Sequence, residues 1–565
     1  MNEQTNGPAG TGSRLIALLA ARPLYLYLAL AIPLWLFFSW ASFNMQASLV
    51  IFHNDFWEHS AALNAWLNDF SNPGDPHLPT DNGSARYMPF YAVVTLIAGT
   101  LRLDALGAMG LAGFLSISLF VIATPLFANR YFRDPRAGTV AIIVLLCGWG
   151  FGVIFSNLHQ MRGLLHVIGF PSFFVFSLTF LLLWLALGIL RSDRPNYLVL
   201  PVLTLLVAIA YASHPLTGAF AIGSLLLLAL MEPQVHFIHR VYLAVAVGIG
   251  AVLVELWPYF STWDIVLGVN KTTDISDNIK TPGSWIERSE VVKGFSRPVS
   301  LALEHPFYRI SDVLSALGPA FFGIPVIVYF LATRRQLYIA VGALLMLVPY
   351  LLNVIFPIPL GHRFLLFFIF FLHLALIWLL LYIMGNDEGQ RRPTDRRCRH
   401  IATGFLGFIL LWNIGLTIAE IIKTSLIRHE LISSRNHTVA NIVPLMNDIA
   451  GRIPDDAVVM APLYLGWPLP TFGGKLVGTM HQNPLNPGDR ERRGNVYRFF
   501  SPTTTNSERM MLLDLYDVTH ILYDARQVKP ETVAQLGEIP GQPITVGNYV
   551  IIEFNLDNQK PVSPE

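Results

Sequence analysis

The stretch "FHNDFWEHSAALNAWLNDF" (residues 52–70) follows an apolar run and carries acidic side chains, histidines and tryptophans. Read as a helix over 54–70, it places Asp55, Glu58 and His59 on one face, because residues three and four apart are neighbours on a helix surface. Its aromatic residues are of the kind that lie at a membrane interface. The function of these side chains depends on the side of the membrane on which the helix lies.

The composition indicates a membrane protein with an additional globular part. The 565-residue chain is 53% hydrophobic and 13% charged, whereas soluble domains are usually about one quarter charged. Apolar runs of about 20 residues recur between Leu24 and Ile422 and then stop, which predicts one polytopic membrane domain followed by one globular domain. A net charge of +1 argues against a nucleic-acid partner. Two cysteines, Cys147 and Cys398, exclude a disulfide framework.

Eleven apolar runs are predicted to be membrane spans by their length. They cover residues 24–42, 107–128, 139–156, 170–190, 198–213, 215–231, 241–258, 313–332, 337–356, 364–384 and 401–422. A further run, Met88–Leu101, would reach only about 21 Å as a helix, which is less than the ~30 Å hydrocarbon core. The distribution of arginine decides whether this run crosses.

If Met88–Leu101 dips into the membrane without crossing, the arginine-bearing loops share the cytoplasmic side, as the positive-inside rule requires. These loops include "NRYFRDPR", "RSDRPN", "HFIHR", "TRRQ" and "GNDEGQRRPTDRRCRH". This topology predicts a cytoplasmic tail over 1–23 and a membrane domain over 24–423. It places the external loops 43–106 and 259–312 and a globular domain over 424–565 outside a plasma or inner membrane.

A specific resemblance rests on the first external loop. An outward acidic residue that opens a helix in "NDFWEHSAALNAW", followed by "ARYMPFY" and many further spans, resembles the GT-C superfamily of integral-membrane glycosyltransferases. The matching motif is confined to residues of about 54–91, and the layout extends over the whole chain. The resemblance implies an α-helical membrane fold with a C-terminal extracytoplasmic α/β domain.

The resemblance also implies a reaction. Such enzymes transfer a sugar from a polyprenyl-phosphate donor within the membrane lipids to a glycan, lipid or protein acceptor, and we expect an inverting hexosyl- or pentosyltransferase. Loop 259–312 resembles the mobile loop that covers the active site. The first loop contains no DxD or ExD pair, so no cofactor is predicted. A divalent metal stays open as an alternative that would draw on the acidic and histidine side chains of the outer face, His53, Asp55, Glu58, His59, His159 and His166.

Sugar transfer needs a base and positive charge. A carboxylate takes the proton of the acceptor hydroxyl, and cations hold the departing phosphate. The predicted base is Asp55, whose structural alternative is a helix N-cap, and its rival is Glu255. Arginine suits the phosphate because its planar guanidinium binds bidentately, although each outward arginine has an alternative as an interfacial or loop-anchoring side chain. The candidates are Arg86 beside Tyr87, Arg162 between His159 and His166, and Arg363 beside His362.

The remaining candidates are further histidines and aromatic residues. His214 in "YASHPLTG" either contacts substrate or bonds to backbone. In the C-terminal domain, "AVVMAP", "KLVGT", "THILYD" and "YVIIEFN" are predicted strands, "TVANIVPLMNDIAGRIP" is a predicted helix, and "PGDRERRGNVYR" is a predicted surface loop. Trp467, Tyr464 and His481 lie between strands and are predicted either to face a sugar or to pack. Glu58 and His59 complete the predicted substrate-binding set.

Two other function classes remain open. A polytopic transporter or a flippase of lipid-linked glycans would also have many spans and a few buried charges, although the sequence shows no convincing internal repeat. A non-catalytic membrane scaffold is disfavoured by the concentration of ionisable side chains on one predicted face.

Overall fold

The structure is a computed structural model. It describes residues 22–44, 55–150, 159–263, 265, 310–355, 361–387, 390–391, 395–433, 442–481, 483, 485–486 and 488–554. Most of loop 259–312, including its predicted mobile part, lies outside the described residues, as does His53.

The chain divides into two compact units. The membrane unit comprises Met1–Ala41, Gly113–Val254 and Thr273–Ile421, and the mixed unit comprises Ser42–Ala112, Glu255–Thr272 and Ile422–Glu565. The mixed unit therefore combines the predicted first external loop with the C-terminal region. The sequence-based limits 24–423 and 424–565 divide the chain by topology, and they remain predictions.

Helices of 7 to 38 residues form most of the membrane unit. In chain order they are α1 (Pro23–Asn44), α4 (Ala105–Phe132), α5 (Ala137–Cys147), α6 (Met161–Val167), α7 (Pro171–Leu190), α8 (Val199–Ser213), α9 (Pro215–Met231), α10 (Phe237–Leu253), α11 (Ile310–Leu317), α12 (Gly323–Thr333), α13 (Leu337–Ile355), α14 (Phe364–Ile383) and α15 (Arg396–Ser433). A short hairpin, β1 (Asn386–Asp387) and β2 (Gln390–Arg391), follows α14.

The chain is a polytopic helical membrane protein, as the sequence predicts. Among the described residues, seven helical segments are long and apolar enough to cross a membrane, and five shorter apolar helices accompany them. Every predicted span coincides with an apolar helix, but the total of eleven remains a prediction. Within the span predicted over 139–156, α5 ends at Cys147, where the glycine-containing "CGWG" begins, and residues 151–156 lie outside the described residues.

The core of the membrane unit is built around α14. This helix is apolar and is buried along most of its length, which is typical of a helix enclosed by others. The Phe367 ring stacks on Phe220 of α9 with centroids 4.2 Å apart, and Phe370 meets Phe176 of α7 edge-on at 5.4 Å. α14 therefore fixes the positions of the helices around it.

Arginines at one end of the membrane unit bind the ends of helices. Arg191 donates to the Tyr131 carbonyl at 3.2 Å and pairs with Glu232 at 2.6 Å, and Arg136 donates to the Met384 carbonyl at 3.1 Å. These contacts bring together the loops that follow α4, α7, α9 and α14. The arginines on which the predicted topology depends therefore also donate hydrogen bonds to backbone carbonyls at helix C-termini.

The mixed unit contains short helices and one sheet. Its elements are α2 (Phe56–Asn68), α3 (Pro89–Leu101), α16 (Ile442–Ala450), β3 (Val458–Met460), α17 (Leu463–Gly466), β4 (Lys475–Leu476), α18 (Asp489–Phe499), α19 (Asn506–Leu515), β5 (His520–Asp524), α20 (Pro530–Leu536), β6 (Gln542–Val546) and β7 (Tyr549–Glu553). The order β4-β3-β5-β7-β6 has parallel pairs from β4 to β5 and antiparallel pairs beyond. The C-terminal α/β domain is confirmed, whereas "PGDRERRGNVYR" forms helix α18 rather than a loop.

Helix α2 packs directly on the turn Leu469–Thr471 of the C-terminal region. The Ser60 and Thr471 hydroxyls lie 2.7 Å apart in a buried contact, and the Asn64 side chain donates to the Pro470 carbonyl at 3.0 Å. Small alanine side chains on α2 permit this close approach. The N-terminal end of α2 is thereby fixed next to residues that are more than 400 positions later in the chain.

The native cysteines provide a test of the predicted topology. Cys398 is exposed and Cys147 is buried, and the arginine distribution places Cys398 in the cytoplasm. In spheroplasts, a membrane-impermeant maleimide should leave Cys398 unlabelled until the membrane is permeabilised. Cys398→Ser should abolish the label, and Thr503→Cys in the C-terminal domain should be labelled from outside. Labelling of Cys398 in sealed cells would show that the topology is inverted.

Candidate functional site

Asp55 opens helix α2 and faces two cationic or potentially cationic side chains. Its Oδ2 lies 3.4 Å from Arg86 Nη1, and its Oδ1 lies 3.4 Å from His481 Nδ1. Within the described residues, its carboxylate makes no capping hydrogen bond to the first helical turn, so the N-cap alternative does not account for it. The side chain is 41% exposed. Asp55 is therefore a carboxylate that a substrate can reach.

Glu58 lies one turn further along α2 and is almost fully buried, with 7% of its side chain exposed. Its Oε1 accepts a hydrogen bond from Trp467 Nε1 at 2.8 Å and lies 3.7 Å from His481 Nδ1. Its Oε2 lies 3.7 Å from His77 Nε2. A buried carboxylate needs such partners, because burial without them costs several kcal/mol.

Arg86 supplies a permanent positive charge beside these carboxylates. Burial alone would lower the pKa of Arg86, but the negative charges of Asp55 and Glu58 outweigh it and raise the pKa. The Arg86 backbone N–H donates to the Ser84 hydroxyl at 3.2 Å, which fixes the turn before α3. The guanidinium therefore stays charged next to Asp55 at any physiological pH.

His481 lies on a turn that is anchored by a buried carboxylate. The Asp489 carboxylate, which is 0% exposed, accepts bonds from the Thr479 hydroxyl at 3.0 Å and from the Asn483 N–H at 3.0 Å. The Thr479 hydroxyl also lies 2.6 Å from the His481 carbonyl. The His481 ring meets Trp467 edge-on, with centroids 4.9 Å apart. These bonds fix both the backbone and the ring of His481.

A second set of bonds joins this turn to the loop that leads to Arg86. The Asn483 amide donates to Asp75 Oδ2 at 2.7 Å and to the Gly83 carbonyl at 3.0 Å, and Lys475 donates to the Asp75 carbonyl at 2.7 Å. Asp75 Oδ1 accepts from the His77 N–H at 2.8 Å. A Cβ atom at Gly83 would lie 2.8 Å from the Tyr259 carbonyl, so only glycine permits this approach.

The structure thus brings together Asp55, Glu58, Arg86, Trp467 and His481 from the predicted set. The other candidates of the mixed unit have different surroundings. His59 is buried with its ring 5.2 Å from that of Tyr91. Tyr87 is buried against Trp66, with centroids 4.8 Å apart. Glu255 is exposed and accepts from the Trp263 N–H at 3.0 Å, and Tyr464 lies on α17.

The remaining candidates belong to the membrane unit. His214 accepts from the Thr217 N–H at 3.2 Å and caps α9, which matches its backbone-bonding alternative. His159 is buried with its ring stacked on Phe176 at 4.3 Å. Arg162 lies on α6, and His166 lies 3.7 Å from Glu420. Arg363 ends a short 3-10 turn before α14, and the His362 side chain is outside the described residues.

Sequence reasoning missed three residues of the site. His77 lies in "GDPHLPT", and the two prolines and the Asp75 turn were the signals that this segment is rigid. Asp75 and Asp489 act through hydrogen bonds to backbone and amide groups that are distant in sequence. A single sequence contains no local pattern that identifies such partners.

No protein-family profile and no curated protein matches the chain. Among solved structures, the oligosaccharyltransferase of Archaeoglobus fulgidus, tethered to an acceptor peptide containing the NVT sequon, aligns with a TM-score of 0.52 at 13% identity. This alignment covers 94% of this chain and 74% of the other. The same enzyme in complex with Zn and sulfate aligns with a TM-score of 0.52 at 14% identity, over 92% and 71% of the two chains.

This chain has the GT-C fold. The resemblance stated from the first external loop is confirmed at the level of architecture, as is the combination of a helical membrane part with a small C-terminal sheet domain. At this level of identity the likeness establishes the fold alone. The likeness does not establish the activity, the sugar donor or the acceptor.

One of the two solved structures holds Zn, which raises the question of a metal site in this chain. Among the described residues, no group of three or more His, Cys, Asp or Glu side chains is arranged to hold a metal ion. Glu58 Oε1 already accepts the Trp467 N–H, and Arg86 lies beside Asp55 Oδ2. The described side chains do not fit a metal centre, so no chemical step is assigned to a metal.

Asp489 should give the mixed unit a specific pH dependence. Burial raises the pKa of Asp489 to about 6 from 3.8, against the opposing effects of the Asn483 and Thr479 hydrogen bonds and of Arg493. Because the folded-state pKa is raised, this contribution to stability is complete below pH 3.8 and is lost as pH rises through about 6. Two pKa units correspond to about 3 kcal/mol.

Asp489→Asn removes this titration. From pH 4 to pH 7, the difference in unfolding free energy between the variant and the wild type should move in favour of the variant by about 2–3 kcal/mol. Denaturant unfolding of the detergent-solubilised protein, followed by tryptophan fluorescence, measures it. Asp514→Asn, at an exposed position, is the matched control. Parallel stability curves for wild type and Asp489→Asn would contradict the assignment.

Proposed function

We propose that this protein is an integral-membrane glycosyltransferase that moves a sugar from a polyprenyl-phosphate donor to an extracytoplasmic acceptor. The observation that carries the proposal is the reachable Asp55 carboxylate beside the charged Arg86, within a chain of GT-C fold. The acceptor is a glycan, a lipid or a protein. The oligosaccharyltransferase with the same fold acts on a peptide.

The proposed reaction is a single displacement with Asp55 as general base. The acceptor oxygen attacks the anomeric carbon of the donor sugar while Asp55 takes the proton from that oxygen. The bond between the anomeric carbon and the phosphate oxygen breaks, and its electron pair leaves with the lipid phosphate. Attack from the face opposite the phosphate inverts the anomeric centre, which is the hexosyl- or pentosyltransferase chemistry expected from the sequence.

Arginine is proposed to neutralise the leaving phosphate. A lipid phosphate leaves as an anion, and preorganised donors aimed at that charge lower the barrier. Arg86 is the arginine that the structure places beside the proposed base, 3.4 Å from Asp55. Arg162 and Arg363 of the membrane unit remain candidates for donor binding. A permanently charged guanidinium supplies this function without a metal ion.

The alternative proposal is a transporter or a lipid-linked glycan flippase. A flippase would also bind a polyprenyl phosphate, but neither a flippase nor a transporter would form a glycosidic bond. The role of Asp55 distinguishes the two classes, because only the transferase uses this exposed carboxylate to accept the proton of an attacking hydroxyl. Transfer of labelled sugar by wild-type membranes, across a panel of polyprenyl-phosphate donors, would support the transferase.

Replacement of Asp55 by Asn should abolish transfer with little effect on folding. The amide preserves size but cannot accept the proton, so the rate should fall about 10²–10⁴-fold. The measurement is sugar transfer in membranes that contain equal amounts of folded protein. Glu255→Gln is the control, since Glu255 is exposed and bonds to the Trp263 N–H. Normal transfer in Asp55→Asn together with loss in Glu255→Gln would move the base to Glu255.

Arginine-to-lysine variants should locate the donor phosphate. Lysine keeps the charge but loses the bidentate geometry, so the dissociation constant for undecaprenyl phosphate should rise about 10-fold, the equivalent of one charge-assisted hydrogen bond. Arg86→Lys, Arg162→Lys and Arg363→Lys are compared by native mass spectrometry in detergent. Arg452→Lys, at an exposed position of the mixed unit, is the control. Unchanged binding in all three variants would remove arginine from the proposed phosphate site.

A further inference from the structure

One side chain lies between the two carboxylates of the site. The Nδ1 atom of His481 is 3.4 Å from Asp55 Oδ1 and 3.7 Å from Glu58 Oε1. Arg86 approaches the other oxygen of Asp55, at 3.4 Å. The carboxylate of the proposed base therefore has a nitrogen atom beside each of its oxygens. One nitrogen belongs to Arg86 and the other to His481, which are far apart in the sequence.

The Glu58 carboxylate beside His481 is held in place by its own contacts. This carboxylate is buried, bonded to Trp467 Nε1 at 2.8 Å and close to His77. The Trp467 ring also meets the His481 ring edge-on, at a centroid distance of 4.9 Å. The Nδ1 atom of His481 thus faces both the buried Glu58 carboxylate and the exposed Asp55 carboxylate, and the ring contacts the Trp467 indole.

The backbone that carries His481 is equally restrained. The Asp489 carboxylate accepts hydrogen bonds from the Thr479 hydroxyl and the Asn483 N–H, which lie on either side of His481. The Asn483 amide binds Asp75 and the Gly83 carbonyl, three residues before Arg86 in the chain. Displacement of His481 would therefore disturb a bonded network rather than a single contact. Such restraint exceeds what the predicted role of a sugar-stacking ring requires.

We propose that His481 is a positioning residue that fixes the orientation of the Asp55 carboxylate through its Nδ1 atom. This inference rests on the proposed function, in which Asp55 is the base. His481 and Arg86 bracket the two oxygens and so restrict rotation of the carboxylate, while its exposed part remains open to the acceptor. A base in a fixed orientation reacts faster, because misplacement by about 1 Å can cost about 10²-fold in rate.

The test compares substitutions at His481 that differ in the position of their polar atoms. The Asn amide lies close to the position of Nδ1, the Gln amide lies closer to that of Nε2, and Leu has no polar atom. His481→Leu and His481→Gln should lower kcat for sugar transfer about 10²-fold, whereas His481→Asn should recover most of it. The dissociation constant for undecaprenyl phosphate should stay unchanged. His400→Leu, at an exposed position of α15, is the control.

An infrared measurement is independent of the reaction. The carboxylate stretching band of Asp55 is isolated as the difference between the wild type and Asp55→Asn, and again between His481→Leu and the double variant. A shift of this band in His481→Leu, reversed in His481→Asn, supports the proposal even if no donor in the panel is used. An unchanged band overturns it, as does full kcat in folded His481→Leu. A purely structural histidine would lower thermal stability but would leave both band and kcat unchanged.

Discussion

The site depends on the burial of the Glu58 carboxylate. A carboxyl side chain with 7% exposure has lost most of its contact with water and needs polar partners within the protein. Trp467, about 400 residues later in the chain, donates a hydrogen bond to Glu58, and the His481 and His77 rings lie 3.7 Å from its oxygens. Helix α2 and the C-terminal region therefore complete the surroundings of each other's site residues. These contacts help to explain why the first external loop and the C-terminal region form one compact unit.

The local features of the fold were predictable because they follow from short-range periodicity. Apolar runs of spanning length located the membrane helices, and alternating apolar residues located β3, β4, β5 and β7. Strand β6 was missed, because its pattern in "QPITV" begins with exposed polar residues and contains a proline. The end of helix α5 at Cys147 does not follow from apolar periodicity, because apolar residues continue beyond the glycines at which the helix ends.

The site was only partly predictable, because its geometry comes from tertiary contacts. Helical spacing correctly placed Asp55 and Glu58 on one face, but it also placed His59 there, whose ring lies next to Tyr91. Trp467 and His481 were selected because aromatic rings often stack on sugars, whereas their polar atoms in the structure face Glu58 and Asp55. Residue type identified the correct side chains, and only the tertiary structure revealed which of their atoms are used.

The arrangement also addresses a conflict within the proposed chemistry. A general base must be anionic to accept a proton, and the donor phosphate is anionic as well, so the two repel each other at close range. Arg86 lies beside Asp55 and keeps its charge because the carboxylates raise its pKa. It can thereby reduce the repulsion without taking the proton that the base must accept. His481, the second proposed orienting group, lies 3.4 Å from the other oxygen of the Asp55 carboxylate. Arg86 and His481 thus approach different oxygens of the Asp55 carboxylate, and part of that carboxylate stays exposed.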